Sequence, residues 1–130
     1  MKRLVTFVLL VAVSIGAIAQ SLPVPSYWRN QRGSEMKIYS IDALGNFKGI
    51  FVNHDGGFTC QNTPFNLAGR EKYGHVAFTV VWTNAFQNCN SQTTWHGRIE
   101  GKTIITRWEL NIFGNPPLSL RGADIFQQLP

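Results

Sequence analysis

Alternation of side-chain character with a period of two is the sequence feature that most restricts how this chain can fold. Between residues 91 and 99, every second side chain is polar or charged: Gln92, Thr94, His96 and Arg98. Because successive side chains of a β-strand point to opposite faces, this segment is predicted to be a strand with one solvated face and one inner face. Residues 104–110 follow the same pattern.

Similar runs recur along the chain and are separated by turn-forming residues. The pattern predicts strands over residues 34–40, 47–53, 66–72, 75–82, 91–100, 102–111 and 124–129. Residues 21–26, which contain two prolines, are expected to form an extended lead. Seven or eight short strands at regular spacing are typical of an all-β sandwich or barrel.

The first nineteen residues have the composition of a secretory signal peptide. Lys2 and Arg3 precede a nearly unbroken apolar stretch that ends in Ala17-Ile18-Ala19. We therefore predict a signal peptide over residues 1–19, a mature domain over residues 20–130, and a secreted or periplasmic location. A membrane anchor is the weaker alternative, because the apolar stretch falls short of the roughly 20 residues that a bilayer requires.

The remaining 111 residues are enough for one small domain, which excludes a multidomain enzyme. Without Lys2 and Arg3, ten basic residues stand against seven acidic ones, so the net charge is about +3. These charges are scattered, so nucleic acid is not expected as a partner.

Cys60 and Cys89 are the two cysteines of the chain. In an oxidising compartment such a pair is expected to form one disulfide, and closing a loop of about 30 residues gains roughly 3–4 kcal/mol in the chain-entropy model. The alternative, a zinc site that adds histidines, is weak because the chain has no Cys-x-x-Cys or His-x-x-x-His spacing. No metal site is predicted.

Polar side chains on the inner faces of the predicted strands indicate a binding cavity. They lie toward one end of their strands and are interleaved with tryptophans: Ser34, Asn53, Ser91, Thr93 and Asp124, with Trp82, Trp95 and Trp108. A buried hydroxyl or carboxylate without a partner costs about 1–3 kcal/mol or more, so these groups satisfy one another or a ligand. An aromatic-walled cavity with a few convergent polar groups is the usual form of a small-molecule site.

Several short blocks, in order and correctly spaced, carry a resemblance to a known family. They are WRNQRGS at 28–34, GNFKG at 45–49, CQNTP at 60–64, FTVVW at 78–82, NCNS at 88–91, TTW at 93–95, TRW at 106–108 and GADIF at 122–126. From about Tyr27 onward the chain resembles the avidins, the biotin-binding β-barrels, and most closely the short, disulfide-bearing bacterial dimeric avidins. The resemblance implies an eight-stranded antiparallel up-and-down barrel that binds biotin noncovalently in its mouth, with no cofactor and no chemistry performed.

The resemblance also assigns a role to each inner position. Asn30 and Ser34 match donors to the ureido oxygen of biotin, whereas Asn53 and Asp124 match acceptors of its two N–H groups. Thr93 matches the hydroxyl that faces the ring sulfur. Three positions match the aromatic box around the rings of biotin: Trp82, Trp95 and Trp108. Ser91 and the backbone near Gly57 match the region that meets the valerate carboxylate.

Two features of the sequence depart from the family pattern: one residue and one loop. Phe51 occupies the position of a tyrosine that is a third donor to the ureido oxygen, so we expect binding weaker by roughly 1–3 kcal/mol, or about 10- to 150-fold. Residues 114–121 contain no tryptophan, whereas tetrameric members use one there from a neighbouring subunit. This favours a homodimer, for which an outward-facing apolar patch is available: Ile50, Val52, Ala77, Thr79 and Val81.

Two other functions stay open. Phe51 is compatible with an avidin-fold protein whose ligand is a biotin derivative or a peptide. A small secreted barrel acting as a protein inhibitor or interaction module is the other alternative, and it predicts a mouth filled by side chains. An enzyme is not expected, and no catalytic residue is assigned, because Ser91 and His96 lie on opposite faces of one predicted strand.

Overall fold

The computed structural model describes residues 21–130 together with positions 3, 5, 6, 8 and 9. Apart from those isolated positions, the predicted signal peptide over residues 1–19 lies outside the described residues. The described chain forms eight strands: β1 (Ser26–Asn30), β2 (Glu35–Ile41), β3 (Asn46–Val52), β4 (Pro64–Lys72), β5 (His75–Thr83), β6 (Asn88–Glu100), β7 (Thr103–Ile112) and β8 (Leu118–Gln128).

These strands make one closed antiparallel barrel, which confirms the predicted fold. Each strand pairs with the next, and β8 pairs with β1 through Trp28 opposite Gln128 and Asn30 opposite Phe126. Because consecutive hairpins turn at alternate ends, the β1–β2, β3–β4, β5–β6 and β7–β8 loops share one end of the barrel. We call this end the mouth.

The predicted inner faces are the buried ones. In β6, Ser91, Thr93, Trp95 and Ile99 are buried, whereas His96 and Arg98 are exposed. The same alternation in the other strands fills the interior with apolar side chains, of which the largest fully enclosed ones include Trp28, Ile38, Phe47, Phe78, Ile104 and Phe126. Trp28 also donates its indole hydrogen to Ser26 Oγ at 2.9 Å, so it is a structural core residue.

A row of aromatic residues crosses the inner wall from β5 to β7. Phe78 lies opposite Trp95, and Trp95 lies opposite Trp108. The rings of Phe78 and Trp95 stack with centroids 5.0 Å apart. In β8 the residue opposite Trp108 is Gly122, where a Cβ atom would collide with the Trp108 indole. A glycine is therefore needed for Trp108 to lie over the backbone of β8.

The largest differences from the sequence prediction are at β1 and β8. The strand β1 starts at Ser26, where an extended lead was expected to end, and five residues give too short an alternation to mark it. The strand β8 starts at Leu118, well before residue 124, because its ladder with β7 continues to the pair Ile112–Leu118. Backbone pairing, rather than side-chain alternation, extends this strand.

The predicted disulfide is present. Cys60 and Cys89 are bonded, with their Cα atoms 6.1 Å apart, and this bond ties the β3–β4 loop to the start of β6. Cys60 is fully buried in the core cluster. Within residues 21–130 and the few N-terminal positions described, no helix is long and apolar enough to cross a membrane.

Candidate functional site

A cavity of about 180 Å³ opens at the mouth of the barrel. Ten of the eleven predicted ligand-binding residues line it: Asn30, Ser34, Phe51, Asn53, Gly57, Trp82, Thr93, Trp95, Trp108 and Asp124. The fold thus brings side chains from β1, β3, β5, β6, β7, β8 and two loops to one enclosed space. Its surface is mostly apolar and carries several convergent polar groups, as in a small-molecule site.

Asn30, at the end of β1, has its side-chain amide held in one orientation. Its Oδ1 atom accepts hydrogen bonds from the backbone N–H groups of Arg32 at 3.0 Å and Ser34 at 2.9 Å. The tight turn that places these donors uses Gly33 in the left-handed region, with φ of 84°. Since a carbonyl oxygen has two lone pairs, the Asn30 oxygen is fully used and the NH2 group is the end left for a ligand.

Ser34 and Asn53 form a second fixed pair. The Ser34 hydroxyl accepts from the backbone N–H of His54 at 2.9 Å and donates to Asn53 Oδ1 at 3.1 Å. Asn53 Oδ1 also accepts from the backbone N–H of Asp55 at 3.1 Å, and Asn53 Nδ2 donates to the carbonyl of Cys60 at 3.0 Å. A ligand atom that accepts the hydrogen bond of the Ser34 hydroxyl in place of Asn53 Oδ1 therefore frees one lone pair on Asn53.

Asp124 is the buried carboxylate of the cavity, with 5% of its side chain exposed. Its Oδ2 atom accepts the indole hydrogen of Trp95 at 2.9 Å. Its Oδ1 atom accepts from Gln31 Nε2 at 2.9 Å and from Arg32 Nε at 3.2 Å. An ionised carboxylate offers about four acceptor positions, so one stays available to a ligand.

The apolar wall is built around Phe51, whose exposure is 2%. Its ring centroid lies 5.0 Å from that of Trp95 and 5.7 Å from that of Trp82. Trp82 donates its indole hydrogen to the hydroxyl of Thr93 at 2.8 Å, which leaves the Thr93 hydroxyl hydrogen free to point elsewhere. Phe51 itself adds surface to the cavity but no hydrogen-bonding group.

Ser91 is the predicted ligand-binding residue that does not line the cavity. It lies on the inner face of β6, two residues before Thr93, and is buried. Within the described part of the chain, its hydroxyl is the buried side-chain polar atom that has no hydrogen-bond partner. Such an atom carries an unmet desolvation cost, which a polar ligand group would relieve.

Five residues that the sequence prediction did not assign to the site also line the cavity: Arg32, Asp55, Phe58, Leu110 and Leu120. Leu110 lies two residues after Trp108 in β7, and Leu120 lies two residues before Gly122 in β8, so both belong to the inner faces of their strands. The alternation with a period of two was therefore a signal from which they could have been predicted. The other three lie in mouth loops, where no periodicity applies. Phe58 packs edge-on against Trp82 at 5.2 Å and covers part of the aromatic wall.

Rigidly held donors and acceptors face an apolar box, while Ser91 is buried and His96 is exposed on opposite faces of β6. Among the described residues, no group of three or more histidine, cysteine, aspartate or glutamate side chains is arranged to hold a metal ion.

Comparison with known proteins agrees with this architecture. The model of the Avidin family matches residues 19–128. Afifavidin of Afifella pfennigii is 40% identical over 108 residues, which cover 79% of this chain and 67% of the relative. Hoefavidin of Hoeflea phototrophica is 32% identical over 115 residues, which cover 79% of this chain and 70% of the relative.

The structure of this chain is also similar to solved structures. A crystal structure of a rhizavidin–biotin complex matches with a TM-score of 0.78 at 40% identity, covering 83% of this chain and 93% of that chain. A crystal structure of a short afifavidin–biotin complex matches with a TM-score of 0.76 at 38% identity, covering 84% and 91%. On the family match, the relatives and the closed barrel together, the chain belongs to the Avidin family.

Proposed function

We propose that this protein binds biotin noncovalently in the mouth of its barrel, one molecule per chain, and leaves the ligand chemically unchanged. One combination carries this proposal: two donors, Asn30 and Ser34, and two acceptors, Asn53 and Asp124, line the same cavity. A cyclic urea has the complementary pattern, since its carbonyl oxygen accepts and the N–H groups on either side donate.

The hydrogen bonds within the site support a urea in particular. The Ser34 hydroxyl donates to Asn53 Oδ1 over 3.1 Å. If the Ser34 hydrogen rotates toward a ligand oxygen, Asn53 regains a lone pair for the adjacent ligand N–H. A ligand with an acceptor next to a donor therefore exchanges one internal hydrogen bond for two new ones.

The apolar part of the cavity fits the rest of such a ligand. Trp82, Trp95 and Trp108 supply aromatic surface for a fused ring system, and the free hydrogen of Thr93 is available to a ring sulfur. Ser91, with its unpartnered hydroxyl, and the loop around Gly57 are the proposed contacts of the valerate carboxylate. Because these groups are already held in place, little ordering entropy is lost on binding.

The relatives support the same ligand. Rhizavidin and short afifavidin have both been crystallised as biotin complexes, and both share at least 38% of their aligned residues with this chain. The proposal extends to the whole chain as follows: residues 1–19 direct export to the periplasm or beyond, and residues 20–130 are the mature binding domain. In this proposal the protein binds its ligand without a cofactor and is not an enzyme.

We further propose that two barrels associate through their outer surfaces as a homodimer. The outward-facing apolar patch on β3 and β5 supports this: Ile50, Val52, Ala77 and Thr79 are partly exposed, and Val81 is 49% exposed. A patch of this kind loses contact with water when two copies pair about a two-fold axis.

A biotin derivative or a peptide is the second candidate ligand. Phe51 favours it, because the enclosed ring offers no hydroxyl to a ureido oxygen and lies between Trp82 and Trp95. Competition distinguishes the two ligands, since free biotin displaces a labelled biotin conjugate only if both occupy the same cavity.

Isothermal titration calorimetry of the purified protein with biotin tests the proposed function. We expect saturable heat release with one biotin per chain, and displacement of a labelled biotin conjugate by free biotin. The absence of both binding heat and displacement at millimolar biotin would overturn the proposal.

A further inference from the structure

Arg32, in the β1–β2 loop, extends across the mouth of the cavity. Its Nε atom lies 3.2 Å from Asp124 Oδ1, at the buried end, and its Nη1 atom lies 3.4 Å from Asp55 Oδ2, in the β3–β4 loop. Its guanidinium carbon also lies 5.9 Å from the centroid of the Trp108 ring. The guanidinium thus links the β1–β2 loop to Asp124 of β8 and to Asp55 of the β3–β4 loop, at the lining of the cavity.

The charges around this opening depend on Arg32. Of the described residues that line the cavity, Asp55 and Asp124 are acidic and Arg32 is basic. Without the guanidinium, an anionic group in the cavity would meet two carboxylates and no cation among the described lining residues. With it, the same group meets a cation that is 41% exposed and therefore able to accept a new partner.

Arg32 also has hydrogen-bonding capacity to spare. A guanidinium has five N–H donors, and the contacts with Asp124 and Asp55 use two of them. The contact with Asp55, at 3.4 Å, is long for a hydrogen bond, so this partner is readily exchanged. A carboxylate at the mouth offers the planar, bidentate geometry that a guanidinium recognises best.

We propose that Arg32 is a specificity-determining residue that makes the site favour biotin with a free carboxylate over biotin joined through an amide. This inference rests on the proposed function and names the part of the ligand that the mouth recognises. The guanidinium exchanges its contact with Asp55 for the ligand carboxylate, while Asp124 accepts the ligand N–H. An amide-linked tail is neutral and gains no ion pair from Arg32.

The test compares dissociation constants for biotin and for biotinamide, its neutral primary amide, by calorimetry. We expect the wild-type protein to bind biotin about five- to tenfold more tightly than biotinamide, and this ratio to fall as ionic strength rises. In Arg32→Gln the ratio falls to about one or below, because biotin binding weakens while biotinamide binding changes little. Arg32→Lys should keep part of the preference for biotin over biotinamide, because it retains the positive charge. Adding Asp55→Asn to Arg32→Gln should restore part of that preference, because it removes a carboxylate that repels the carboxylate of biotin.

A matched control is Arg29→Gln. Arg29 is exposed in β1 and pairs with Glu35 at 2.8 Å, away from the cavity, so its loss should leave the ratio unchanged. Melting temperatures of all variants verify folding. A ratio that is the same in wild type and Arg32→Gln would overturn the role of Arg32 alone, whereas failure of the wild type to bind either ligand would overturn the proposed function and this inference with it.

Discussion

Trp95 donates its indole hydrogen to Oδ2 of Asp124 over 2.9 Å inside the barrel. The ring of Trp95 therefore forms part of the apolar wall, and its N–H group also holds the buried carboxylate of Asp124 in position. Gln31 holds the other oxygen of Asp124 at 2.9 Å. A carboxylate fixed from both sides offers its remaining acceptor position in one direction, which favours a ligand with an N–H group there.

Asp124→Asn tests the importance of that carboxylate. The amide keeps the shape but loses the charge, and its NH2 group opposes the N–H donors of Trp95, Gln31 or Arg32. We expect biotin affinity to fall by about 10- to 100-fold, as for the loss of a charged hydrogen bond. Calorimetry measures this loss. Glu109→Gln, which removes an exposed ion pair with Arg121, is the control and should leave affinity unchanged; equal affinity in both variants would contradict the role of Asp124.

Phe51→Tyr tests the departure from the family pattern. A hydroxyl at this position adds a donor inside the cavity, so we expect slower biotin dissociation and affinity higher by about 10- to 150-fold. Dissociation rates measured by displacement of labelled biotin provide the test. Phe47→Tyr is the matched control, because Phe47 is equally buried but does not line the cavity. If dissociation from Phe51→Tyr is unchanged, the ureido oxygen does not lie near this ring.

Gly122→Ala tests the close approach of Trp108 to β8. The added methyl group would occupy the position of the Trp108 indole, so the ring must shift. We expect a loss of about 1–3 kcal/mol in the free energy of unfolding, together with weaker ligand binding. Urea unfolding and calorimetry measure both. Gly114→Ala in the β7–β8 loop, where a Cβ meets only Pro116 at 3.6 Å, should be neutral; equal behaviour of the two variants would refute this account.

Replacing Cys60 and Cys89 by alanine separates stability from binding. The disulfide links positions 29 residues apart, so its loss should lower the free energy of unfolding by about 3–4 kcal/mol. The β3–β4 loop, which carries Asp55, Gly57 and Phe58 to the cavity, would also lose its tether to β6. We therefore expect faster ligand dissociation as well. Urea unfolding with unchanged midpoints in the double variant would argue against a stabilising role.

Ser91→Ala should affect the empty and the bound protein in opposite directions. Its buried hydroxyl has no partner among the described residues, so its removal should raise the stability of the empty protein by about 1 kcal/mol. If the hydroxyl meets the valerate carboxylate, biotin binding should weaken several-fold in the same variant. Thermal unfolding without ligand and calorimetry with biotin measure the two effects, and a loss of stability without ligand would mean that Ser91 has another partner.

The alternation of residues was sufficient to predict most of the strands and most of the cavity lining, whereas the closed barrel was implied by the family resemblance. Thr93, Trp95 and Trp108 were assigned to inner faces from a period of two, and the structure buries Thr93 and Trp95 there and places Trp108 in the cavity wall. The roles of individual residues, by contrast, came from the family resemblance, since alternation gives a face and not a partner.

Three loop residues of the cavity were missed by the sequence prediction for a physical reason. Arg32, Asp55 and Phe58 reach the cavity through turns whose direction depends on contacts such as the bond from Asp55 N–H to Asn53 Oδ1. No periodic pattern encodes such contacts. The start of β8 at Leu118 was missed for a related reason, because its ladder partner Ile112 lies on another strand.

Thermal denaturation with and without biotin tests the central claim most directly, because a ligand that binds only the folded barrel raises its stability by mass action. At a biotin concentration a thousand times the dissociation constant, stabilisation reaches about 4 kcal/mol, so the melting temperature should rise by roughly 10 °C or more. Superimposable melting curves at saturating biotin would contradict the claim that this cavity is a biotin site.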